Sequence, residues 1–417
     1  MISNALGTDC IKKHYMELTK EFFLNTFKSI FTKIILYMKI GITCYPTYGG
    51  SGVVATELGK ALALRGHEIH FISYAMPTRL NGFVDNIFYH EVEINNYPLF
   101  EFPLYSIALA SKMVEVTKFY DLDILHAHYA IPHATSAYLA REILKADSNN
   151  TKEIKFITTL HGTDITLTGL EPSFLPTMKF SIEKSDGVTA VSKFLKDKTQ
   201  QQYKIDKEIE VIHNFIDIEK YKRQKDEKTL CFKKNFAPNG EKIIAHTSNF
   251  RALKRVQDVI KIFNEVRTTV DSKLILIGDG PERSDCERLS RELGIFEEIK
   301  FMGKQDALVE ILSVADLFII PSQSESFGLS ALEAMSCSVP VISSSVGGLP
   351  ELNHHGETGY IAEIGDVERM AKYAVEILTN EKRYEILSKN ARKRAEEFSE
   401  DIIVPQYEAF YKKIIDG

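Results

Sequence analysis

Short apolar runs alternate along the chain with longer segments in which apolar residues recur every three or four positions. The short runs have the length and composition of buried strands, and the longer segments have the spacing of amphipathic helices. Runs of the strand type lie at 39–44, 67–73, 124–126, 155–160, 187–191, 242–247, 274–277, 299–303 and 316–320. Strands that alternate with helices predict an α/β fold with doubly wound parallel sheets, which bind ligands at the carboxyl ends of their strands.

The length and composition narrow the class of protein. A chain of 417 residues is too long for one ordinary core and favours two domains. Its 44% hydrophobic and 26% charged residues are typical of a globular protein, and a net charge of −6 gives no general attraction to nucleic acid or to an anionic membrane. The five cysteines include no C-x-x-C pair, which favours reduced thiols in a cytoplasm. The chain has no apolar run of about eighteen residues that would predict a membrane-spanning helix.

The stretch from 316 to 333 carries the clearest chemistry. An apolar run at 316–320 leads into a loop of proline, serine and glutamate, and Ser326 is predicted to cap the helix that follows. At such an N-terminus the backbone N–H groups of Phe327 and Gly328 face an approaching ligand, and the glycine allows close contact. The sequence therefore predicts a site for an anion such as a phosphate.

Two glutamates flank this predicted helix start. Glu325 lies just before it and Glu333 lies two turns inside it, so they are separated by about 10 Å along the axis at the usual helical rise. A nucleotide-sugar has a similar reach, with one carboxylate on the sugar hydroxyls, the other on the ribose, and the diphosphate held between them by N–H groups and basic residues. The alternative is that both glutamates are ordinary solvated acids.

The same stretch resembles the donor site of a known enzyme family. Glu-x7-Glu after a buried strand, followed by AMSCSVPVI at 334–342 and GGLPE at 347–351, is similar to the retaining glycosyltransferases of family 4. The resemblance covers residues 38–415. It implies the GT-B architecture, in which two Rossmann-like domains face a cleft.

The resemblance also implies roles for residues in both domains. The residues implied to bind the donor are Gly50, Arg251, Lys254, Glu325, Phe327, Gly328 and Glu333. The residues implied to act in catalysis are His161, Glu325, Arg251 and Lys254. Candidates for binding the acceptor, near the ends of the N-terminal strands, are Ser51, Arg79, Tyr129, Thr159 and Lys179.

Several of these assignments have alternatives. The glycines within 49–52 would by themselves predict only a tight turn, and His161 would otherwise be a hydrogen-bonded core histidine. Arg255 is an alternative to Lys254, because the spacing after the preceding strand is shorter than in many relatives. Relatives often have arginine where Lys179 stands, and lysine lacks the bidentate fork that binds a carboxylate.

No metal or cofactor is expected. His126, His128 and His133 lie near one strand end, but no cysteine or acid completes a metal-binding set, so we interpret them as hydrogen-bonded structure. Asp121 and Asp123 resemble the acid pair of metal-dependent glycosyltransferases, and we interpret them as turn residues.

The predicted domain boundaries follow from the pattern and from the resemblance. Residues 1–37 form an extension with the apolar spacing of an amphipathic helix, which is either dispensable or binds a membrane surface or a partner. Residues 38–213 form the acceptor-binding domain and residues 214–395 the nucleotide-sugar-binding domain. Residues 396–417 form a helix that crosses back to the N-terminal domain, as the resemblance implies.

Within the family, several motifs of this sequence resemble those of enzymes that attach N-acetylglucosamine to malate in bacillithiol biosynthesis. The motifs that carry this similarity are IGITCYP at 40–46, HAHYAIPHA at 126–134, TLHGTDIT at 159–166 and SNFR at 248–251. The resemblance implies a cytoplasmic enzyme that transfers N-acetylglucosamine from UDP-GlcNAc to the hydroxyl of L-malate with retention and without a cofactor. The resemblance does not determine the oligomeric state, and a homo-oligomer is one alternative.

Two other functions fit the sequence. A retaining transferase with a different acceptor, such as an inositol phosphate or a lipid or polysaccharide precursor, would keep the donor site. A non-catalytic nucleotide-sugar-binding protein would keep the fold. The basic and acidic residues of the donor site are all present, which favours an enzyme.

Overall fold

The computed structural model describes residues 37–47, 49–80, 84–94, 104–150, 152–166 and 171–417. The helix predicted within residues 1–37 lies outside these ranges, apart from Tyr37. The described chain folds into two α/β lobes, which we call the N-lobe (residues 37–211) and the C-lobe (residues 217–399), joined by a short hinge (residues 212–216). The predicted domain boundaries themselves stay predictions.

The N-lobe is built on one parallel sheet of seven strands. The strands are β1 (Lys39–Thr43), β2 (Glu68–Ser73), β3 (Ile87–Glu91), β4 (Ile124–His128), β5 (Lys155–Leu160), β6 (Gly187–Ala190) and β7 (Glu210–Val211). Their order across the sheet is β3-β2-β1-β4-β5-β6-β7. The chain reverses its direction of winding between β1 and β4, which is the position where doubly wound sheets bind ligands.

Helices cover both faces of this sheet. They are α1 (Gly50–Leu64), α2 (Tyr105–Tyr120), α3 (Thr135–Ala146), α4 (Thr163–Thr166), α5 (Leu175–Lys184) and α6 (Lys193–Tyr203), with an irregular turn at Ala130–Ala134 before α3. Strand β4 is buried along its whole length, and so is β6. Burial on both faces is typical of a parallel sheet covered by helices, and it extends here to the two histidines of β4, His126 and His128.

The C-lobe repeats this plan with six parallel strands. The strands are β8 (Lys242–Thr247), β9 (Ser272–Ile277), β10 (Ile299–Gly303), β11 (Leu317–Ile320), β12 (Val341–Ser344) and β13 (Gly359–Ala362), in the order β10-β9-β8-β11-β12-β13. The helices are α7 (Glu227–Phe236), α8 (Val256–Val266), α9 (Arg283–Glu292), α10 (Leu308–Val314), α11 (Leu329–Ser336), α12 (Leu349–Leu352), α13 (Val367–Thr379) and α14 (Glu381–Glu396), with 3-10 turns at Ala252–Lys254 and Phe296–Glu298. The expectation of two doubly wound domains is confirmed.

Helix α8 shows why the helical pattern could be read from the sequence. Val256, Val259, Ile260 and Phe263 recur at helical spacing and are at most 1% exposed. Burying each such side chain contributes about 1.5–3 kcal/mol relative to leaving it in water. This apolar face fixes the helix against the C-lobe sheet.

The last helix, α15 (Glu400–Asp416), packs on the N-lobe. The hydroxyl of Tyr411 lies 2.8 Å from Nδ1 of His126 in β4, and Arg65 donates two hydrogen bonds to Glu408 at 2.8 and 2.9 Å. Helix α15, which follows the C-lobe in the chain, therefore packs against the N-lobe and links the two lobes. Within the described ranges, no helix has both the length and the apolar character needed to cross a membrane.

Candidate active site

A cleft of about 810 Å³ lies between the lobes, where loops at the carboxyl ends of both sheets meet. The predicted residues that line it are Gly50, Ser51, Tyr129, His161, Arg251, Lys254, Glu325, Phe327 and Gly328. They follow β1, β4, β5, β8 and β11, which are central strands of the two sheets. The structure therefore brings most of the predicted donor and catalytic residues to one place.

The helix on the donor side begins later than predicted. Helix α11 starts at Leu329, and its N-cap is Gly328, with φ +101° and ψ +49°. Glycine takes this left-handed conformation without the steric cost that a side chain would bring, and the Gly328 carbonyl accepts the N–H groups of Ala331 and Leu332 at 2.9 and 3.1 Å. The prediction of Ser326 as the N-cap was wrong because the left-handed glycine, two residues later, is where the chain turns into the helix.

Ser326 instead faces the N-lobe. Its Oγ lies so close to Gly162 that a Cβ on that glycine would be only 1.6 Å away. Gly162 has φ +108°, so both its conformation and its position suit a residue without a side chain. The loop of the C-lobe at residues 324–328, which we call the donor loop, therefore contacts the loop after β5 on one side of the cleft.

Lys254 and Glu325 form an ion pair in the cleft. Nζ of Lys254 donates to Oε1 of Glu325, and the Ser322 hydroxyl donates to the same oxygen at 3.0 Å. The two charged side chains are only 19% and 11% exposed. Water therefore screens the pair less than it would screen a pair on an open surface.

The two candidates for the second cation of the donor site lie in different places. Lys254 lines the cleft, together with Arg251. Arg255 has φ +52° and turns towards α8, where its Nε donates to Asp258 at 2.6 Å. The geometry therefore favours Arg251 and Lys254 as the cations that would meet a diphosphate.

Hydroxyl groups dominate the N-lobe wall of the cleft. The side chains that supply them include Thr47, Ser51, Ser106, Tyr129, Thr135, Thr163, Thr166 and Thr177. The hydroxyl of Ser51 donates to that of Tyr129 at 2.8 Å. Among the described residues of the lining, the lysine and arginine side chains come from the C-lobe. The two walls thus differ in chemistry: the lysine and arginine of the lining are on the C-lobe side, whereas the N-lobe side presents hydroxyl groups, His161 and the carboxyl group of Asp164.

His161 is neutral at the cleft wall. Burial lowers its pKa to about 3, because the charged imidazolium would lose its solvation, and His133 opposes a positive charge as well. Nε2 of His161 lies 2.8 Å from Nδ1 of His128, so one ring donates to the other. Burial also places the pKa of His128 well below its usual range. A neutral His161 is suited to hydrogen bonding with a ligand rather than to carrying a proton at neutral pH.

The other histidines of this region are engaged in hydrogen bonds. The His126 ring lies between the hydroxyl of Tyr411, at 2.8 Å, and that of Thr159, at 2.7 Å. Nδ1 of His133 donates to the carbonyl of His128 at 2.5 Å. In the part of the chain that the structure describes, no group of three or more His, Cys, Asp or Glu side chains is placed to hold a metal ion. That the protein works without a cofactor stays a prediction.

Two predicted residues, Glu333 and Arg79, meet in a small pocket beside the cleft. Glu333 is 5% exposed and accepts a hydrogen bond from the Tyr221 hydroxyl at 3.0 Å. Nη2 of Arg79 lies 3.6 Å from the same carboxylate. Burial raises the pKa of Glu333, although Arg79 acts against this shift. The donor role of Glu333 and the acceptor role of Arg79 stay predictions.

Two further candidates for acceptor binding, Thr159 and Lys179, also lie outside the cleft lining. Thr159 is buried below the cleft, where its hydroxyl contacts His126 and Thr189, each at 2.7 Å. Lys179 is on α5 with its side chain 43% exposed, and its Nζ donates to the carbonyl of Lys204 at 3.3 Å. The structure does not bring these two side chains together with Ser51, and their roles stay predictions.

Asn214 and Asp164 are buried polar residues of the cleft that were not singled out from the sequence. Asn214, in the hinge, is 7% exposed, and its Oδ1 has no hydrogen-bond partner among the described residues. Asp164 accepts the N–H of Gly162 at 2.9 Å, and burial raises its pKa to about 6. An asparagine beside the apolar residues of a domain hinge is a signal that could have identified Asn214. Asp164 gave no such signal, because acids near strand ends are common in turns.

The chain matches two family models and one close relative. The model described as Glycosyltransferase Family 4 matches residues 48–220, and the model described as Glycosyl transferases group 1 matches residues 227–394. The N-acetyl-alpha-D-glucosaminyl L-malate synthase of Bacillus anthracis is 48% identical over 379 residues, which cover 91% of this chain and 97% of that protein.

Solved structures match the fold. A glycosyltransferase from Rickettsia africae has a TM-score of 0.74 at 22% identity and covers 92% of this chain and 100% of its own. Anabaena HepE, in complex with UDP and glucose, has a TM-score of 0.75 at 19% identity and covers 90% of this chain and 100% of its own. At these identities the likeness shows the fold alone. The two family models and the identity to the Bacillus protein go further, and they show that this chain belongs to the glycosyltransferases of family 4.

Proposed function

We propose that the protein transfers N-acetylglucosamine from UDP-GlcNAc to the hydroxyl group of L-malate, with retention at the anomeric carbon. The observation that carries the proposal is the 48% identity, over 97% of its length, to a relative named for this product. The cleft supports the proposal, because cations on one wall face hydroxyl groups on the other. We also propose a cytoplasmic enzyme that needs no metal or cofactor.

The donor diphosphate lies against Arg251, Lys254 and the start of α11. Backbone N–H groups at a helix N-terminus attract anions, and Gly328 lets a phosphate approach the chain closely. Lys254 exchanges its present partner, Glu325, for a phosphate oxygen, which frees the Glu325 carboxylate to accept hydrogen bonds from the sugar hydroxyls. Negative charge on the leaving UDP increases in the transition state, so fixed cations at this position lower the barrier.

The malate hydroxyl attacks the anomeric carbon from the face that UDP leaves. The malate oxygen forms a bond to that carbon, the bond to the β-phosphate oxygen breaks, and the hydroxyl proton passes to this phosphate oxygen. The route needs no base from a side chain, which fits a neutral His161 held by His128. The protein contributes orientation and charge stabilisation, as closure of two domains around substrates provides.

The acceptor occupies the N-lobe wall. Malate is a dianion, and hydroxyl donors such as Ser51 and Tyr129, together with N–H groups at the start of α1, are suited to its carboxylates. Arg251 and Lys254 together carry two positive charges, which the diphosphate of UDP-GlcNAc engages, so the malate carboxylates depend on the neutral donors of the N-lobe. Closure of the lobes around the bound donor completes this acceptor site, which predicts that malate binds more tightly after UDP-GlcNAc than before it.

Release of UDP from UDP-GlcNAc, measured with and without L-malate, tests the proposal. We expect UDP release to depend on malate and to give a product with the mass of N-acetylglucosaminyl malate. The same assay with an inositol phosphate as acceptor is the comparison. A product formed only with that acceptor would replace malate in the proposal, and UDP-GlcNAc binding without turnover would favour a binding protein instead.

A further inference from the structure

A carboxylate of the C-lobe caps a helix of the N-lobe. Glu351, in α12, accepts the backbone N–H of Lys193 at 2.9 Å through Oε2 and that of Phe194 at 2.8 Å through Oε1. Lys193 and Phe194 are the first two residues of α6, and Lys193 is 158 residues away from Glu351 along the chain. A negative charge at a helix N-terminus satisfies N–H groups that have no partner within the helix. The contact therefore joins the two lobes.

This cap differs from three side-chain caps of the C-lobe. Helices α7, α13 and α14 are each capped by the residue immediately before them, which are Asp226, Asp366 and Asn380. In α6, the side chain of the preceding Ser192 accepts the N–H of Leu195 at 3.1 Å and not those of Lys193 and Phe194. The first two N–H groups of α6 depend on the other lobe. A cap that only stabilised the helix would not need to come from across the interface.

The hinge also contacts Glu351. Nε2 of His213 lies 3.3 Å from Oε2 of Glu351. Burial acts to raise the pKa of Glu351, but its hydrogen bonds with His213 and with the N–H groups of Phe194 and Lys193 outweigh burial, so the pKa lies below its usual range. The carboxylate is therefore charged at neutral pH while it holds both the N-lobe and the hinge.

The turn that leads into α12 packs on the donor loop. The N–H of Gly348 donates to the carbonyl of Glu325 at 3.1 Å. A Cβ on Gly347 would lie 1.7 Å from that carbonyl oxygen, and a Cβ on Gly348 would lie 2.3 Å from the carbonyl oxygen of Ser326. The backbone on both sides is therefore in direct contact, with no space for a side chain. Residues 347–351 thus touch the donor loop at one end and the N-lobe at the other.

We propose that Glu351 is a positioning residue that couples the approach of the two lobes to the placement of the donor loop (residues 324–328). When the lobes come together, the N–H groups of Lys193 and Phe194 engage Glu351 and fix α12. The turn at 347–348 then holds the backbone of Glu325 in place for the sugar. The inference rests on the proposed function, because it assigns Glu351 to the same transfer reaction.

Substitution at Glu351 tests the C-lobe side of the contact. Glu351→Ala is expected to lower kcat for transfer by about tenfold to a hundredfold, because the donor loop loses its fixed position. The Kd for UDP, measured by calorimetry, should rise by less than kcat falls, because the proposed UDP contacts do not include this residue and the variant affects UDP only through closure of the lobes. Glu357→Gln is the matched control, since that side chain is 73% exposed in the same lobe and should change neither value.

Substitution at Lys193 tests the N-lobe side without touching the donor loop. Lys193→Pro removes one N–H donor, and proline is well tolerated at the first position of a helix after an extended residue such as Ser192, which has φ −157° and ψ 159°. We expect kcat to fall by about threefold to tenfold, since one of the two hydrogen bonds is lost. Circular dichroism establishes whether each variant is folded. If Glu351→Ala is unfolded, Lys193→Pro alone tests the coupling between the lobes and the donor loop.

Small-angle scattering separates this inference from the proposed function. Addition of UDP should reduce the radius of gyration of the wild-type protein and of Glu357→Gln, and should reduce it less in Glu351→Ala and Lys193→Pro. Wild-type protein that contracts in this way but makes no product with malate would overturn the proposed acceptor and leave the coupling standing. Unchanged contraction and kcat in both variants would overturn the coupling. A Kd for UDP that weakens as much as kcat would also overturn it, since Glu351 would then only support the C-lobe.

Discussion

The two walls of the cleft hold polar groups in different ways. The C-lobe wall presents full charges on loops, with Lys254 and Glu325 paired and partly buried. The N-lobe wall presents hydroxyl groups such as that of Ser51, and a histidine, His161, that burial keeps neutral. The difference matches a division of tasks, in which one wall stabilises the charge of the leaving group and the other orients an acceptor. Changes on the C-lobe wall should therefore affect UDP, and changes on the N-lobe wall should affect the acceptor.

The largest effect is expected from Lys254→Ala. Loss of a fixed cation beside the leaving diphosphate should lower kcat/KM for UDP-GlcNAc by about a thousandfold and should weaken UDP binding as well. Arg255→Ala is the matched control, because this neighbouring cation pairs with Asp258 outside the cleft, and steady-state kinetics should change by no more than about twofold. Equal losses in the two variants would contradict the assignment of the donor cations.

A smaller effect with a different signature is expected from Glu325→Gln. The glutamine keeps the shape but loses the charge that accepts hydrogen bonds from the sugar, so kcat should fall by about a hundredfold. The Kd for UDP, which has no sugar, should not weaken, because Glu325 is proposed to contact the sugar. Glu363→Gln, at an exposed position, is the control. An equal loss of UDP affinity would show that Glu325 serves the diphosphate side instead.

Acid should destabilise the N-lobe through its buried histidines. Burial lowers the pKa of His126 and His161 to about 3 and that of His133 to about 4, whereas unfolded histidines titrate near 6.5. The unfolded state therefore binds more protons, and the free energy of unfolding falls as pH drops below about 6.5, by up to about 1.4 kcal/mol per pH unit for each such histidine. Melting temperatures between pH 7 and 5 measure this loss.

Variants can attribute the pH dependence to these rings. His126→Asn should reduce the slope of melting temperature against pH, because one buried group no longer titrates on unfolding. His354→Asn, with a side chain 42% exposed, should leave the slope unchanged. A slope that is the same in His126→Asn and in the wild type would show that the acid sensitivity has another origin.

The smallest effect is expected from Lys179→Ala. Its side chain lies on the exposed face of α5 and bonds to the carbonyl of Lys204, so the KM for malate should change by no more than about twofold. Ser51→Ala is the contrasting variant, since loss of a hydroxyl in the cleft should raise that KM by about fivefold to tenfold. If Lys179→Ala raised the KM for malate more than Ser51→Ala, the result would support the acceptor role predicted for Lys179 and would contradict the role proposed for Ser51.

The fold could be predicted from the sequence because two patterns are clear in it: short continuous apolar runs for buried strands, and apolar residues at every third or fourth position for helices. The continuous apolar run of β11 and the helical spacing of α8 each identify an element without any knowledge of its neighbours. The resemblance supplied the residues of the donor loop, and most of them line the cleft. These parts depend on local pattern and on loops at strand ends, which the sequence shows directly.

Other features depend on contacts that the sequence does not show. The start of α11 was misplaced because a serine before a helix is a common cap, whereas the left-handed Gly328 is recognised only from its conformation. Thr159 and His161 are two positions apart, yet only His161 lines the cleft, because β5 ends between them. The capping of α6 by Glu351 could not be inferred either, since 158 residues separate Glu351 from Lys193.

Titration of UDP into the wild-type protein and into Lys254→Ala, followed by calorimetry, tests the central claim most directly. The claim is that cations of the C-lobe wall gather around the diphosphate of a uridine nucleotide. We predict one binding site per chain in the wild type and binding at least about tenfold weaker in Lys254→Ala. The absence of UDP binding to the wild type, or equal binding by both proteins, would contradict the claim.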